Sequence, residues 1–582
     1  MHVRHPWRWI LGVLILLALL LAAYAGWLAW STARSLSAAA DDARALKSAA
    51  MAGDDAATQA GFDEFVAHVH TARSRTDSKV WSLLTHLPGY GDDAHGVRTV
   101  SRVADELATG GLDDLVDHVG NLDALLPTGG GIDLAQVAEL QEPVAASKKA
   151  LDRANADLEA EDTTHFVDSV RLKFRDLQAQ ISSAASSIDS ADRALAVLPA
   201  MLGGDGSRTY LLVMQNNAEI RATGGLPGAV AEITAKGGKL SLVKERSGSS
   251  FGEASSPVLP LSAAEKTLYG ENLGRYFLDA NLTPDFPRSA DLWKARWEQV
   301  ESSKVDGVIS IDAVTLSYLL GAYGPVTVDG IQLTQGNVVD ELLSKVYVRY
   351  TNPDQQDAFF GAVTTAIFNE VTTGTASRSD LLNALTKATK ERRVLVHDFH
   401  DEEQAKLAGT TIAGELDAKI ADSPQVGVYL SDGTLSKMSY YLRYKTKVSA
   451  TSCRNGVQSL RGTMTLTSTA PADAASSLPA YVLGGSTGAV PKGDQLVYLT
   501  LFAPTGGTIT PIDMNGVNFQ QQNVDLDGRT VRRTWIQLQP GESVDLSWRM
   551  TTGKGQTGDP RVNFTPSIDP GAPASATVKT AC

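Results

Sequence analysis

The sequence predicts an α+β protein of several domains, and three observations lead there. Up to about residue 200 apolar residues recur at helical spacing and β-branched clusters are scarce. From Tyr210 strand-like runs alternate with helical segments, the pattern of helices laid over a sheet. From about residue 426 short strands alternate with closely spaced Pro- and Gly-bearing turns, which predicts an antiparallel β-sandwich. A chain of 582 residues is also too long for one hydrophobic core.

The chain opens with an uncharged run, Trp9–Trp30, WILGVLILLALLLAAYAGWLAW. Roughly 20 apolar residues span a bilayer core at 1.5 Å per helical residue. Arg4 and Arg8 precede the run, and the first acids, Asp41 and Asp42, follow it. The positive-inside rule then predicts a cytoplasmic tail at 1–8, a single-pass signal-anchor at 9–30 and an extracytoplasmic remainder. Trp7, Trp9, Trp27 and Trp30 stand at the two ends, where interfacial anchors belong. The alternative is a cleaved signal peptide, with Ala23-Tyr24-Ala25 as its A-x-A site. An oxidising exterior suits a Cys453–Cys582 disulfide between the chain's two cysteines; two unpaired thiols are the alternative.

Residues 31–200 form the predicted extracytoplasmic helical region, a bundle or stalk. Phe62, Phe65, Val66 and Val69 set the helical period, and Pro88-Gly89 breaks it. His68, His70 and His86 fall on helix faces and read as solvated residues rather than ligands. Residues 201–425 form the predicted α/β domain, with strands at Tyr210–Met214, Ala229–Thr234, Leu240–Val243, Gly307–Ile311 and Val326–Val328. Residues 426–582 form the predicted β-sandwich.

Composition excludes several functions. The chain is 43% hydrophobic and 20% charged, ordinary for folded protein, and its net charge is −14. It has no basic run, so nucleic acid is excluded as a partner. No HExxH pair or cysteine spacing suggests a structural metal, and no Gly-x-Ser-x-Gly elbow suggests a serine hydrolase.

Chemistry concentrates in Ser207–Gly228, SRTYLLVMQNNAEIRATGGLPG. A buried strand feeds a polar cluster, Gln215, Asn216, Asn217, Glu219 and Arg221, then a turn at Thr223-Gly224-Gly225. Arg221 could grip phosphate or carboxylate bidentately, and the glycine N–H groups could cradle an anion. Structurally, Arg221 could pair with Glu219, the asparagines could form a turn, and the glycines could serve positive φ alone.

A second cluster, Asp279, Asn281, Asp285 and Arg288, lies in a loop held extended by Pro284 and Pro287. Its oxygen donors could hold a divalent cation, the one cofactor the sequence suggests, although the EF-hand pattern is absent. The alternative is a helix N-cap with Asp291 in the first turn. Arg349 could complete an anion site with Arg221, or pair with Asp354 or Asp357. Asp312 is expected to cap a helix and Lys437 to sit at a domain junction.

At QNNAEIRATGG the chain resembles a bacterial envelope family catalogued as domain of unknown function 4012. DANLTPDFPRSA, VDGVISID, LLGAYGPV and SDGTLSKMSYYL extend the resemblance over roughly 200–582. A more distant likeness, in VDGVISIDAVTLSYLLGAYGPVTV and VYVRYTNPDQQDAFF, is to the LytR-CpsA-Psr phosphotransferases. These transfer glycopolymer from a polyprenyl pyrophosphate carrier to peptidoglycan. The likeness implies that Arg221 and Arg349 grip pyrophosphate, with Arg349 ending a strand, and that Asp279 or Asp285 acts as proton acceptor or places a cation. Two departures stand out. Gln355, Gln356 and Asp357 replace the family's paired arginines, and Arg221-Ala222-Thr223 lacks its aspartate. The expectation is therefore an extracytoplasmic envelope protein that binds or transfers phosphate-linked glycopolymer, or a non-catalytic scaffold of the same fold.

Overall fold

A computed structural model of the chain describes residues 6–118, 122, 125–127, 129–416, 422–484, 490–519 and 521–582. The basic flank at Arg4 lies outside the described residues, as do the side chains of 6–15, 17 and 18. The chain forms two units, one of residues 1–126 and 133–199, the other of 127–132 and 200–582.

The first unit is helical, as its alanine- and leucine-rich sequence predicts. Its long helices are Pro6–Ala52, Asp55–Thr76, Gly91–Gly110, Gln141–Glu159 and Asp168–Met201. Asp54 caps the second by accepting from the Ala57 N–H at 2.9 Å. Val103, Leu107, Leu151, Leu158, Phe166 and Phe174 form a core, and Gly96 leaves room for the Phe166 ring. Among the histidines, His68 meets Asp42 at 2.6 Å and His70 lies 3.4 Å from Asp105. The run Trp9–Trp30 falls within the helix Pro6–Ala52. Among the described residues no helix is long and apolar enough to cross a membrane.

The second unit contains a five-stranded mixed sheet and two larger, mainly antiparallel sheets. The mixed sheet contains β1 (Arg208–Arg221), β2 (Gly224–Lys236), β3 (Lys239–Ser247) and β4 (Gly307–Asp312), in the order β3-β2-β1-β4, with Leu395–Asp398 at the far edge. β1 and β4 run parallel, in register from Tyr210↔Gly307 to Gln215↔Asp312. Alternation along β1 sends Leu211 and Val213 to one face, where Trp293 and Trp297 of the helix Phe286–Val300 are buried. Met214 packs on the other face against Leu316, Leu320 and Phe359.

In the C-terminal region one sheet runs Val524–Leu526, Arg529–Leu538, Gln495–Phe502, Gln425–Asp432, Arg561–Phe564, Ser575–Thr577. The other runs Val517–Phe519, Ile512–Met514, Ser543–Thr551, Val457–Ser468, Leu442–Arg454. Pairing is antiparallel except where Arg561–Phe564 lies parallel to Gln425–Asp432. Val428, Leu499 and Ile536 of the first sheet share a core with Leu460, Leu546 and Trp548 of the second. Ile220 of β1 joins that core, while Tyr429 and Phe502 join the core around Trp293. The mixed sheet and the C-terminal sheets are thus packed through common cores. A Cys453–Cys582 disulfide ties the start of this region to the last residue, as expected.

Candidate functional site

The polar cluster after Met214 is strand, not loop. β1 continues through it to Arg221, absorbing register shifts after Met214 and between Asn216 and Ile220. Arg221 pairs with Gly224, so Ala222-Thr223 is a two-residue hairpin turn, one position earlier than the sequence suggests. The glycines permit close approach of the two strands. A Cβ on Gly225 would lie 2.3 Å from the Asn216 carbonyl, and Gly224 has a φ of 145° beside the Gln215 amide.

Gln215, the first residue of the polar cluster, is its hub. Its Oε1 accepts from Thr223 Oγ1 at 3.0 Å, the Gly225 N–H at 2.9 Å and Asn281 Nδ2 at 3.1 Å. Its Nε2 donates to Ser310 Oγ at 2.5 Å. Asn281 also donates to Thr223 Oγ1 at 2.9 Å and the Gly225 carbonyl at 2.8 Å. The Gly225 N–H, a candidate anion donor, is thus committed within the protein. Asn216 Nδ2 donates to the Tyr347 hydroxyl at 2.5 Å, and Asn217 Nδ2 to Asp312 Oδ2 at 3.1 Å. Asp312 also caps the helix Ala313–Tyr323 through Thr315, as expected.

The charges are equally committed. Arg221 is 1% exposed and its Nη2 lies 2.8 Å from Glu219 Oε1 and 3.2 Å from Asp279 Oδ1. Lys437 Nζ bonds the other Glu219 oxygen. Burial pushes the Glu219 carboxyl up, but Lys437 and Arg221 outweigh it, so it stays below the ordinary carboxylate range. Burial raises the pKa of Asp279 more than Arg221 lowers it, so that carboxyl stands above its usual value. Behind them Asp432 is pushed up to about 6, by burial and then by the charge of Glu219.

Residues 205–347 match a family model described as protein of unknown function DUF4012. The chain carries a DUF4012 domain. No curated protein matches the chain. The matched segment begins just before β1 and ends at Tyr347, the residue that Asn216 holds. Lys437 therefore completes the buried charge cluster from outside the DUF4012 segment.

The other candidate residues of the DUF4012 segment do not converge on Arg221. Asp285 precedes the helix Phe286–Val300, but its carboxylate accepts from the Leu416 N–H at 3.0 Å, and burial pushes it up to about 6. Arg288 donates to Glu265 and to the Pro260 carbonyl, both at 2.7 Å. Asp279 meets Arg221, Asn281 donates to Gln215, and Asp285 accepts from Leu416, so the three have separate hydrogen-bond partners among the described residues. Arg349 corrects an expectation. Val346–Arg349 is a helical turn, not a strand, and Arg349 Nη2 pairs with Glu341 at 2.7 Å rather than with Arg221, Asp354 or Asp357.

One more buried charge group had no sequence signal. Arg393 lies 2.8 Å from Asp312 and 2.6 Å from Glu391, and Glu391 accepts from the Tyr318 hydroxyl. Glu391 and Arg393 are two residues apart, but Asp312 and Tyr318 lie more than 70 positions away.

A cleft of about 260 Å³ opens between β2, β3 and the helix Pro353–Thr373. Backbone from Gly228 to Ala231, the carboxylates of Glu245 and Asp357, and the side chains of Ser247, Phe360 and Thr365 line it. Glu245 accepts from Thr365 Oγ1 at 3.1 Å, and Gly361 lets its carboxylate approach the helix. Burial raises both carboxyl pKa values. The lining offers hydroxyls, carboxylates, one aromatic ring and Arg246, whose guanidinium pairs with Glu301.

Proposed function

We propose that the chain is a single-pass, extracytoplasmic envelope protein that binds the carbohydrate of a glycopolymer without transferring it. In this reading Trp9–Trp30 is the membrane anchor, the rest of the first unit is a helical stalk, and the C-terminal sheets form a β-sandwich. Support for the anchor comes from Leu16, Leu19, Leu20, Trp27 and Trp30, whose side chains are all about half exposed or more on one long helix.

The observation that carries the reading is the burial of Arg221 at 1% exposure between Glu219 and Asp279. A polyprenyl pyrophosphate transferase needs cationic donors free to meet phosphate oxygens. Arg221, Arg288 and Arg349 each have a carboxylate partner instead. The cleft suits sugar better than phosphate, because its one arginine, Arg246, is paired with Glu301, while Glu245 and Asp357 would repel an anion yet accept from sugar hydroxyls. Phe360 offers the apolar face that a pyranose ring packs on. The ligand is therefore the glycan portion of a polyprenyl-linked polymer or of peptidoglycan.

The test is retention of the detergent-solubilised full chain on immobilised envelope glycans, for the wild type, Phe360→Ala and Thr365→Val. The variants should lose retention while remaining folded, with Phe360→Ala somewhat less stable because its ring also packs on Tyr347. Equal retention of all three would overturn the reading.

A further inference from the structure

At the end of the mixed sheet where β1 and β4 begin, three neighbouring strands bring ionisable groups together. Arg208 opens β1, Asp306 precedes β4, and Asp398 ends the edge strand Leu395–Asp398. His400 and Glu403 follow, one before and one inside the short helix Asp401–Leu407. Ligand atoms of Asp398, His400 and Glu403 all lie within 4.8 Å of one another. Asp306 Oδ1 lies 3.6 Å from His400 Nε2.

The imidazole is held in a defined orientation. Asp398 Oδ1 meets His400 Nδ1 at 2.8 Å and also accepts the His400 backbone N–H at 2.9 Å. Asp398 is itself fixed: its side chain is 1% exposed, and its N–H donates to Gln404 Oε1 at 3.0 Å. With Nδ1 occupied, Nε2 is the nitrogen that faces Asp306. A carboxylate orienting an imidazole through one nitrogen, while the other nitrogen faces further oxygen donors, is the arrangement that metal-binding histidines use.

Charge points the same way. The cluster holds three carboxylates, and Arg208 is its one permanent cation. The guanidinium meets Glu403 at 3.3 Å and also contacts His400 Nε2. A neutral imidazole leaves two negative charges uncompensated, and one of the carboxylates is fully buried.

We propose that this cluster is a divalent transition-metal site. His400 Nε2, Glu403 and Asp306 supply the donors, Asp398 orients the imidazole, and Arg208 is the cation that the metal displaces. One nitrogen and two carboxylate donors suit Zn²⁺ and its Co²⁺ substitute rather than Ca²⁺. The site lies at the sheet end where the parallel strands begin, and it shares no residue with the proposed glycan cleft.

Co²⁺ titration of the metal-free, tag-free full chain in detergent tests the proposal, read by visible d–d absorption and followed by Zn²⁺ displacement. The expected result is one saturating equivalent of Co²⁺, released by Zn²⁺. His400→Ala should abolish the spectrum, and Asp398→Asn should weaken binding by about 10–100-fold. Arg208→Gln should tighten it, because a competing cation is gone. Glu403→Gln is a second donor variant in case His400→Ala fails to fold, and it should alter the absorption envelope. No saturable equivalent, an unchanged spectrum in a folded His400→Ala or Glu403→Gln protein, or weaker binding by Arg208→Gln would each overturn the site.

Discussion

Lys437 bonds Glu219 across 218 positions of sequence, and the two residues are 6% and 4% exposed. Glu219 belongs to the DUF4012 hairpin, whereas Lys437 comes from the segment that follows the first strand of the C-terminal sheets. With Arg221 and Asp279 they form a group of two cations and two carboxylates, of which only Asp279 is partly exposed. The polar signature of the chain thus joins the mixed sheet to the C-terminal sheets.

Removing one partner from such a group leaves a charge buried without compensation, which costs about 3–5 kcal/mol. Lys437→Met should therefore destabilise the second unit by that amount in chemical denaturation. The double variant Lys437→Met/Glu219→Gln should recover part of the loss, because the orphaned carboxylate is gone. A single-variant loss below about 1 kcal/mol would place the group near the energy of a solvated ion pair.

Asp432 gives a pH dependence with a defined sign. Its carboxyl is pushed up to about 6 in the fold, whereas an unfolded aspartate titrates near 3.9. Between these values the folded state binds more protons than the unfolded one, so this group's contribution to stability falls as pH rises from about 4 to 6. His397, held down to about 4 by burial, works in the opposite direction over the same range. The comparison is therefore with Asp432→Asn. From pH 4 to 7 the variant should gain about 2–3 kcal/mol relative to wild type. A pH-independent difference in denaturation midpoints would contradict this.

Gly225→Ala places a methyl group 2.3 Å from the Asn216 carbonyl carbon, in backbone that cannot retreat without breaking the hairpin. The expected cost is about 1–3 kcal/mol in thermal or chemical unfolding. A neutral substitution would show that the hairpin is looser than its register implies.

The disulfide closes a span of 129 residues between Cys453 and Cys582. Cys453→Ser should lower stability by about 2–5 kcal/mol, measured with and without reductant. Reductant should lower the wild type to the variant's value and leave the variant unchanged.

Local patterns in the sequence were enough to read much of this architecture. Helical periodicity placed the first unit, and β-branched runs placed β2, β3 and β4. Two cysteines in a chain expected to lie outside the cytoplasm implied their pairing. Asp312 as a helix cap was also legible, from its local setting. The fate of Arg221 was not. Its burial depends on Lys437 and Asp279, which only the tertiary fold brings to Glu219. Spacing within QNNAEIRATGG is the same for a hairpin that binds an anion and one that binds itself. Arg349 misled for a related reason. The run VYVR has strand propensity, but it continues a helical segment from Val338 and is held there by Glu341. Asp398, His400 and Glu403 lie together in DFHDEE, but only strand order brings Asp306 and Arg208 to them.

The central claim is that this domain reads sugar and leaves pyrophosphate unread. The most direct measurement is the affinity of the full chain in detergent for a purified envelope glycan, with and without its polyprenyl pyrophosphate. The account predicts affinities within a few-fold of each other, both lost in Phe360→Ala and both retained in Arg288→Gln and Arg349→Gln. Binding that requires the pyrophosphate and is lost on replacing either arginine would contradict it.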